Sequence, residues 1–245
     1  MKNLIYIFFL FAIVLSSCKK SDAQKAIVSL NFQTTADGNN YTFADSYENG
    51  DGTLIRLELL QFYLSDIRFI DKKGKEVLAE EIALLKTDLS GHASVEIKIP
   101  AGDYSALKFG IGVPNELNEK DPSSFTEEEH PLSSSQNTYW GMNGMYRFVM
   151  VDGRYDEDAD GISDGTFSYH TGYAVSLREF ELTRSFSFDK KESYSENFNI
   201  DVQQLFNVDG SRMDVINESN WHGNYDDIEV SIRFSDNFLH ALTAQ

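Results

Sequence analysis

"LIRLELLQFYLSDIRFIDKKGKEV", residues 54–77, reads as a strand, a tight turn and the start of a returning strand. It is rich in Leu, Ile, Phe and Tyr, and Asp71 to Gly74 has the composition of the turn. Strand-like alternation extends in both directions from it. Val28, Leu30 and Phe32 share one parity, Val95, Ile97 and Ile99 another, and Leu107, Phe109, Ile111 and Val113 a third. Further strands are expected at 167–177, 180–188, 194–202 and 228–234, where Ile228, Val230, Ile232 and Phe234 alternate. "DVQQLF" (201–206) reads as a single helical turn, and no helix-period segment of convincing length is expected anywhere after the N-terminal seventeen residues. Many short strands with turn-rich connections predict an all-β fold, a β-sandwich of immunoglobulin-like or jelly-roll type with roughly 8–10 strands. Long polar insertions at 115–137 and 152–166 interrupt the pattern, and loops on a β scaffold are where sites tend to be built.

The N-terminus carries a different signal. Lys2 precedes the apolar run "LIYIFFLFAIVL" (4–15), which suits an export signal and is short for a membrane span. "LSSC" follows, and its Cys18 is the only cysteine of the 245 residues. This resembles the lipobox of bacterial lipoproteins, whose cysteine becomes the lipidated N-terminus. Residues 1–17 are therefore expected to be a signal peptide, 18–25 a tether, and 26–245 a single β domain attached to the cell envelope, on its periplasmic or outer surface, through lipid alone. With Cys18 lipidated, no thiol remains for a disulfide or thiolate metal site. The formal charge of −18 would become −19 on loss of Lys2, which makes nucleic acid and anionic lipid surfaces poor partners and cations good ones.

Three stretches can carry chemistry. "DEDADGISDG" (156–165) places Asp156, Asp158, Asp160 and Asp164 around Gly161, a pattern of hard oxygen donors suited to calcium. Phe167 stands where an EF-hand would need its bidentate glutamate, so a looser calcium loop or a solvated acidic turn are the alternatives. "TYWGMNGMYRF" (138–148) concentrates Trp140, Met142 and Met145 in a chain with two tryptophans and five methionines. In an extended chain Trp140, Met142, Gly144, Tyr146 and Phe148 share a face, which is either ordinary core or a soft-donor site, since a thioether favours Cu(I). "FSYHTGYAVSL" (167–177) sets His170 among Ser168, Gly172, Ala174 and Ser176, small neighbours that leave room for a metal or a hydrogen-bond partner. His130 in the acidic loop and His222 after Trp221 are further histidines that can complete a site. Nothing matches a nucleophile elbow, a P-loop, a dinucleotide fingerprint or HExxH.

Together, "LLQFYLSDIRFIDKKG" (59–74), "LKFGIGVPNELNEKDPSS" (107–124), "HPLSSSQNTYWGMNGMYRF" (130–148) and "FSYHTG" (167–172) resemble the MbnP-like copper-binding proteins, exported proteins named for a methanobactin operon. The resemblance implies a periplasmic or cell-surface β-sandwich that binds copper. It also implies a partner, a di-haem cytochrome c peroxidase-like protein, which in characterised relatives oxidises a tryptophan to kynurenine on which copper binding depends. Trp140 matches the first aromatic of the family's Trp-x-Trp segment, and His170 the histidine of its Phe-x-x-His-x-Gly segment. This chain departs from the pattern at Glu119, Met142 and Met145, where the family has histidine, its second tryptophan and glycine. A Met142–His170 pair could then bind Cu(I) without modification.

The expectation is a non-enzymatic, lipid-anchored copper-binding protein for acquisition, storage or delivery, with His170, Met142 and His130 as ligands and Trp140 beside them. The alternative is a surface lipoprotein that binds a protein or glycan, with the acidic loop as a structural calcium site.

Overall fold

The computed structural model describes residues 25–141, 145–208 and 210–245; the signal segment, Cys18 and Met142 lie outside them. Nine strands of six or more residues are present among the described residues: β1 (Lys25–Ala36), β2 (Leu54–Asp71), β3 (Glu76–Lys86), β4 (His92–Pro100), β5 (Gly102–Ile111), β6 (Val149–Asp156), β7 (Gly165–His170), β8 (Arg178–Phe188) and β9 (Ser193–Asp201). Two short strands, β10 (Asn220–Trp221) and β11 (Leu242–Ala244), extend the sheets. In one sheet β1 pairs with β9 in parallel and with β4 antiparallel, and β11 adds to β9. In the other, β2 pairs with β3, β5 and β6; β8 adds to β5, and β7 and then β10 continue from β6.

The two sheets face each other across a phenylalanine core. Phe32 of β1 meets Phe62 of β2 at 5.4 Å and Phe109 of β5 at 6.4 Å between ring centroids, and Phe198 of β9 meets Phe109 at 5.9 Å. All four side chains are buried, and each contributes roughly 1.5–3 kcal/mol by leaving water. This is the β-sandwich expected.

β2 explains why its own sequence alternates imperfectly. Ile55 and Leu57 point into the core on odd numbers, Leu60, Phe62 and Leu64 on even ones, and Ile67 and Phe69 on odd again. Register shifts between Leu57 and Leu59 against β6, and between Ser65 and Arg68 against β5, produce the two switches, because one extra residue in a strand reverses its facing. Asp66, with φ 47°, lies within the second. The turn is as expected: Gly74, with φ 80°, donates its N–H to Asp71 O at 2.9 Å, and the Asp71 carboxylate accepts from the N–H groups of Lys73 and Lys75 at 2.8 and 2.9 Å.

Three expectations fail. Residues 228–234 are not a strand but the start of a helix, α3 (Ile228–Ala241). Its buried residues are Ser231, Phe234, Ser235, Asn237, Phe238 and Ala241, so two serines and an asparagine interrupt the apolar spacing of three and four. The alternating Ile228, Val230 and Ile232 lie on its partly buried flanks. Phe238 packs on Phe62 at 5.2 Å and Phe234 on Tyr169 at 5.3 Å, so α3 is held by its contacts with the sandwich core. The strand at 167–177 ends at His170 and gives way to a 3-10 turn at Ala174–Ser176. The insertion at 152–166 is shorter than its polarity suggests, because β6 runs through to Asp156, pairing Asp152 with Leu59 and Asp156 with Leu54. The expected turn in "DVQQLF" is present as α2 (Val202–Phe206), and a single turn, α1 (Asn115–Asn118), precedes it in the chain.

The long connection between β5 and β6 packs on the outer face of the sheet rather than standing off in solvent. Val113, Leu117, Leu132, Tyr146 and Phe148 bury themselves against Tyr63 and Ile82 as a second, smaller core. The Tyr63 hydroxyl donates to Pro131 O and meets Thr138 Oγ1, both at 2.7 Å, and the Tyr146 hydroxyl donates to Leu132 O at 2.9 Å. Among the described residues no helix is long and apolar enough to cross a membrane.

Candidate metal centre

Strand register brings three donor side chains to one point. β6 and β7 pair Asp152 with Ser168, and β7 and β10 run parallel with Ser168 opposite Asn220 and Tyr169 opposite Trp221. Tyr169 and Trp221 are buried inward, so His170, the last residue of β7, and His222, directly after the end of β10, both turn outward. Adjacent strands are about 4.8 Å apart, and the two imidazoles stack at 4.5 Å between centroids with an 18° interplanar angle.

His170 Nε2 donates to Asp152 Oδ1 at 2.8 Å, and the Ser168 hydroxyl touches Asp152 Oδ1, His170 Nε2 (3.2 Å) and His222 Nε2 (2.6 Å). One ligand atom from each of Asp152, His170 and His222 lies within 4.8 Å of the others. Burial alone would raise the Asp152 pKa, but hydrogen bonds from His170 and Ser168 and the nearby imidazoles hold it below the usual carboxylate value. Desolvation, then the neighbouring His170, lower the pKa of His222, which keeps that imidazole neutral and able to donate a lone pair.

Two imidazoles and a carboxylate are borderline donors that suit divalent copper or zinc, and three protein ligands leave a coordination position open. Ligand atoms on one tetrahedral ion stand about 3.3 Å apart at the usual bond lengths, so the Asp152–His170 contact need open only slightly. A serine-hydrolase relay is not built here. Asp152 and Ser168 both address Nε2 of His170, whereas a relay holds the carboxylate on one ring nitrogen and the hydroxyl on the other.

Trp140 belongs to the wall of this site. It packs edge-on against Trp221 at 5.9 Å, and a Cβ on Gly172 would come within 2.7 Å of its Cζ3, so the glycine two residues after His170 makes room for it. The segment around Trp140 is paired, not a continuous strand: Trp140 N–H donates to Met145 O at 2.9 Å and Arg147 N–H to Thr138 O at 2.8 Å. Tyr146 and Phe148 are core, and Met145 is exposed.

His130 is not brought to this group: its Nδ1 accepts from Leu132 N–H at 3.1 Å and its ring stacks on Phe125 at 4.3 Å. Met142 lies outside the described residues. In the acidic loop Asp156, Asp158 and Asp164 bring carboxylate oxygens within 4.8 Å of one another, whereas Asp160 turns to the N–H of Ile162 at 2.8 Å. Asp156 accepts from Gly161 N–H at 2.8 Å and Asp164 from Glu157 N–H at 2.8 Å, bonds that close the loop on themselves. Asp152 and Ser168 escaped the sequence reading of the site. The signal for Asp152 is a carboxylate directly after the apolar run Val149–Val151.

Fold and cluster define a β-sandwich that carries an open histidine–carboxylate donor set on its outer face. The chain belongs to the MbnP family, whose model matches residues 25–225. Among solved structures, MbnP from Methylosinus trichosporium is similar, with 17% identity over 82% of each chain and a TM-score of 0.48. No curated protein matches the chain.

Proposed function

We propose that this is a non-enzymatic copper-binding protein of the cell envelope, exported and held by lipid on Cys18, that serves copper acquisition, storage or delivery. The observation that carries the reading is the convergence of Asp152, His170 and His222, two on neighbouring strands and one directly after a third, onto one point. Membership of the MbnP family supports copper among the metals this donor set accepts, and divalent copper stands highest in affinity for such N and O ligands. Asp152, His170 and His222 would hold the ion, and copper would supply the binding chemistry there. Trp140, against the same wall, is the candidate for oxidation by a di-haem peroxidase-like partner.

The test is competition with a chelator for Cu(II), Cu(I) and Zn(II), using wild type, His170→Ala, His222→Ala and Met142→Ala, with intact mass recorded for tryptophan oxidation. The reading expects tight copper binding that both histidine substitutions weaken by about tenfold or more. Copper binding that neither histidine substitution alters would sink it. Loss in Met142→Ala together with a preference for Cu(I) would move the centre toward the thioether.

A further inference from the structure

The Trp140 wall of the proposed metal site also holds a cation, Arg147, that has no ion-pair partner among the described residues. Arg147 lies between the fully buried Tyr146 and Phe148, with its main-chain N–H bonded to Thr138 O, so its origin is fixed. Its side chain is half-buried, its guanidinium carbon stands 5.8 Å from the Trp140 ring centroid, and its buried Nε has no hydrogen-bond partner among the described residues. No carboxylate among the described residues forms an ion pair with it.

The guanidinium also feels the metal cluster. Burial lowers the Arg147 pKa and the charge of Asp152 opposes that shift, while Arg147 in turn presses the His222 pKa down. Trp140 under Arg147 packs on Trp221, the neighbour of His222, so one continuous wall joins the cation to the cluster.

Leaving a buried donor unpaired costs about 1–3 kcal/mol, and a guanidinium fork is shaped for the two oxygens of a planar carboxylate. The charges of Asp152 and Arg147 cancel, so a divalent ion would bring its full charge into a partly enclosed site. An anion shared between ion and guanidinium would reduce that charge, satisfy Nε and fill the open coordination position.

We propose that the site takes its metal together with a small anion of the carboxylate class, carbonate or an organic carboxylate, with one oxygen on the ion and at least one other accepting from Arg147. This rests on the metal reading above. Carbonate and a monocarboxylate offer the same planar O–C–O group, and separate arms of the experiment distinguish them.

The experiment is Cu(II) binding by the purified protein in buffer free of carbon dioxide and carboxylates, then with bicarbonate or with acetate, against a chelator calibrated in each buffer. Wild type, Arg147→Gln and Arg147→Lys are compared, with the Cu(II) paramagnetic resonance spectrum recorded for each. The proposal expects wild-type affinity to rise about tenfold or more with one anion, the worth of roughly 1.4 kcal/mol. The spectrum should change with it and broaden with the ¹³C-labelled anion. Arg147→Gln, which removes a cation near the ion, should bind copper at least as well as wild type does without anion and should ignore the addition, and Arg147→Lys should lose most of the effect. Copper binding by wild type that is indifferent to both anions overturns the proposal and leaves the metal reading intact. Full anion dependence in either variant also overturns it. Absence of copper binding in every buffer overturns both.

Discussion

His170 and His222 lie 52 residues apart in sequence and face each other as ring stacks 4.5 Å apart, because β7 and the two-residue strand at Asn220–Trp221 run parallel in register. Their Nε2 atoms share the hydroxyl of Ser168, at 3.2 and 2.6 Å. A histidine after a buried tryptophan thus becomes half of a donor pair.

Asp152→Asn should separate charge from shape at this point. The amide keeps a hydrogen-bond acceptor beside His170 and removes the negative charge, so metal affinity should fall by about tenfold or more with the fold unaltered. His130→Ala, whose imidazole is engaged with Leu132 and Phe125, should leave affinity unchanged. Chelator competition and a thermal melt on each variant check both outcomes.

Gly172→Ala should displace Trp140. The added carbon would stand 2.7 Å from the indole Cζ3 and 3.1 Å from Tyr146 O, and such overpacking costs about 1–3 kcal/mol. A lowered midpoint in urea and a shifted tryptophan fluorescence maximum are expected; wild-type values in both would place the indole elsewhere.

Phe238→Ala should detach the helix from the sandwich. Phe238 is fully buried and contacts Phe62 across 5.2 Å, and phenylalanine truncation in a core costs about 3–5 kcal/mol. Denaturant unfolding measures the loss. A cost below about 1 kcal/mol would mean that α3 is peripheral to stability.

Alkaline pH should destabilise the protein through Tyr41. Burial pushes its pKa up to about 12, while its hydroxyl donates to Asp45 O at 3.0 Å and accepts from Leu57 N–H at 2.9 Å. The unfolded chain loses this proton from about pH 10, so between about pH 10 and about 12 the folded state binds more protons and stability falls as pH rises. Urea midpoints across this range should slope downward in wild type and less steeply in Tyr41→Phe; equal slopes would assign the loss to other groups.

Most of the strands, the turn at Asp71–Gly74 and the family likeness were legible in the order of residues, whereas β6 was partly hidden in what reads as a polar insertion. Period-two alternation and turn chemistry are local, and a strand buried on one face must display them. Helix α3 was not legible, because Ser231 and Ser235 occupy core positions while Ile228, Val230 and Ile232 mimic a strand. Only contact with Phe62 and Tyr169 makes that segment worth more as a helix.

The sequence by itself determined the all-β class and the acidic character, and it singled out His170 and Trp140 as candidates. The tertiary structure alone decided which groups stand beside His170. Asp152 arrives through antiparallel register and His222 through parallel register, whereas His130 is held by its own loop. A donor set is a property of distance in space, and in a sheet that distance is set by strand pairing between segments whose separation along the chain carries no record of it.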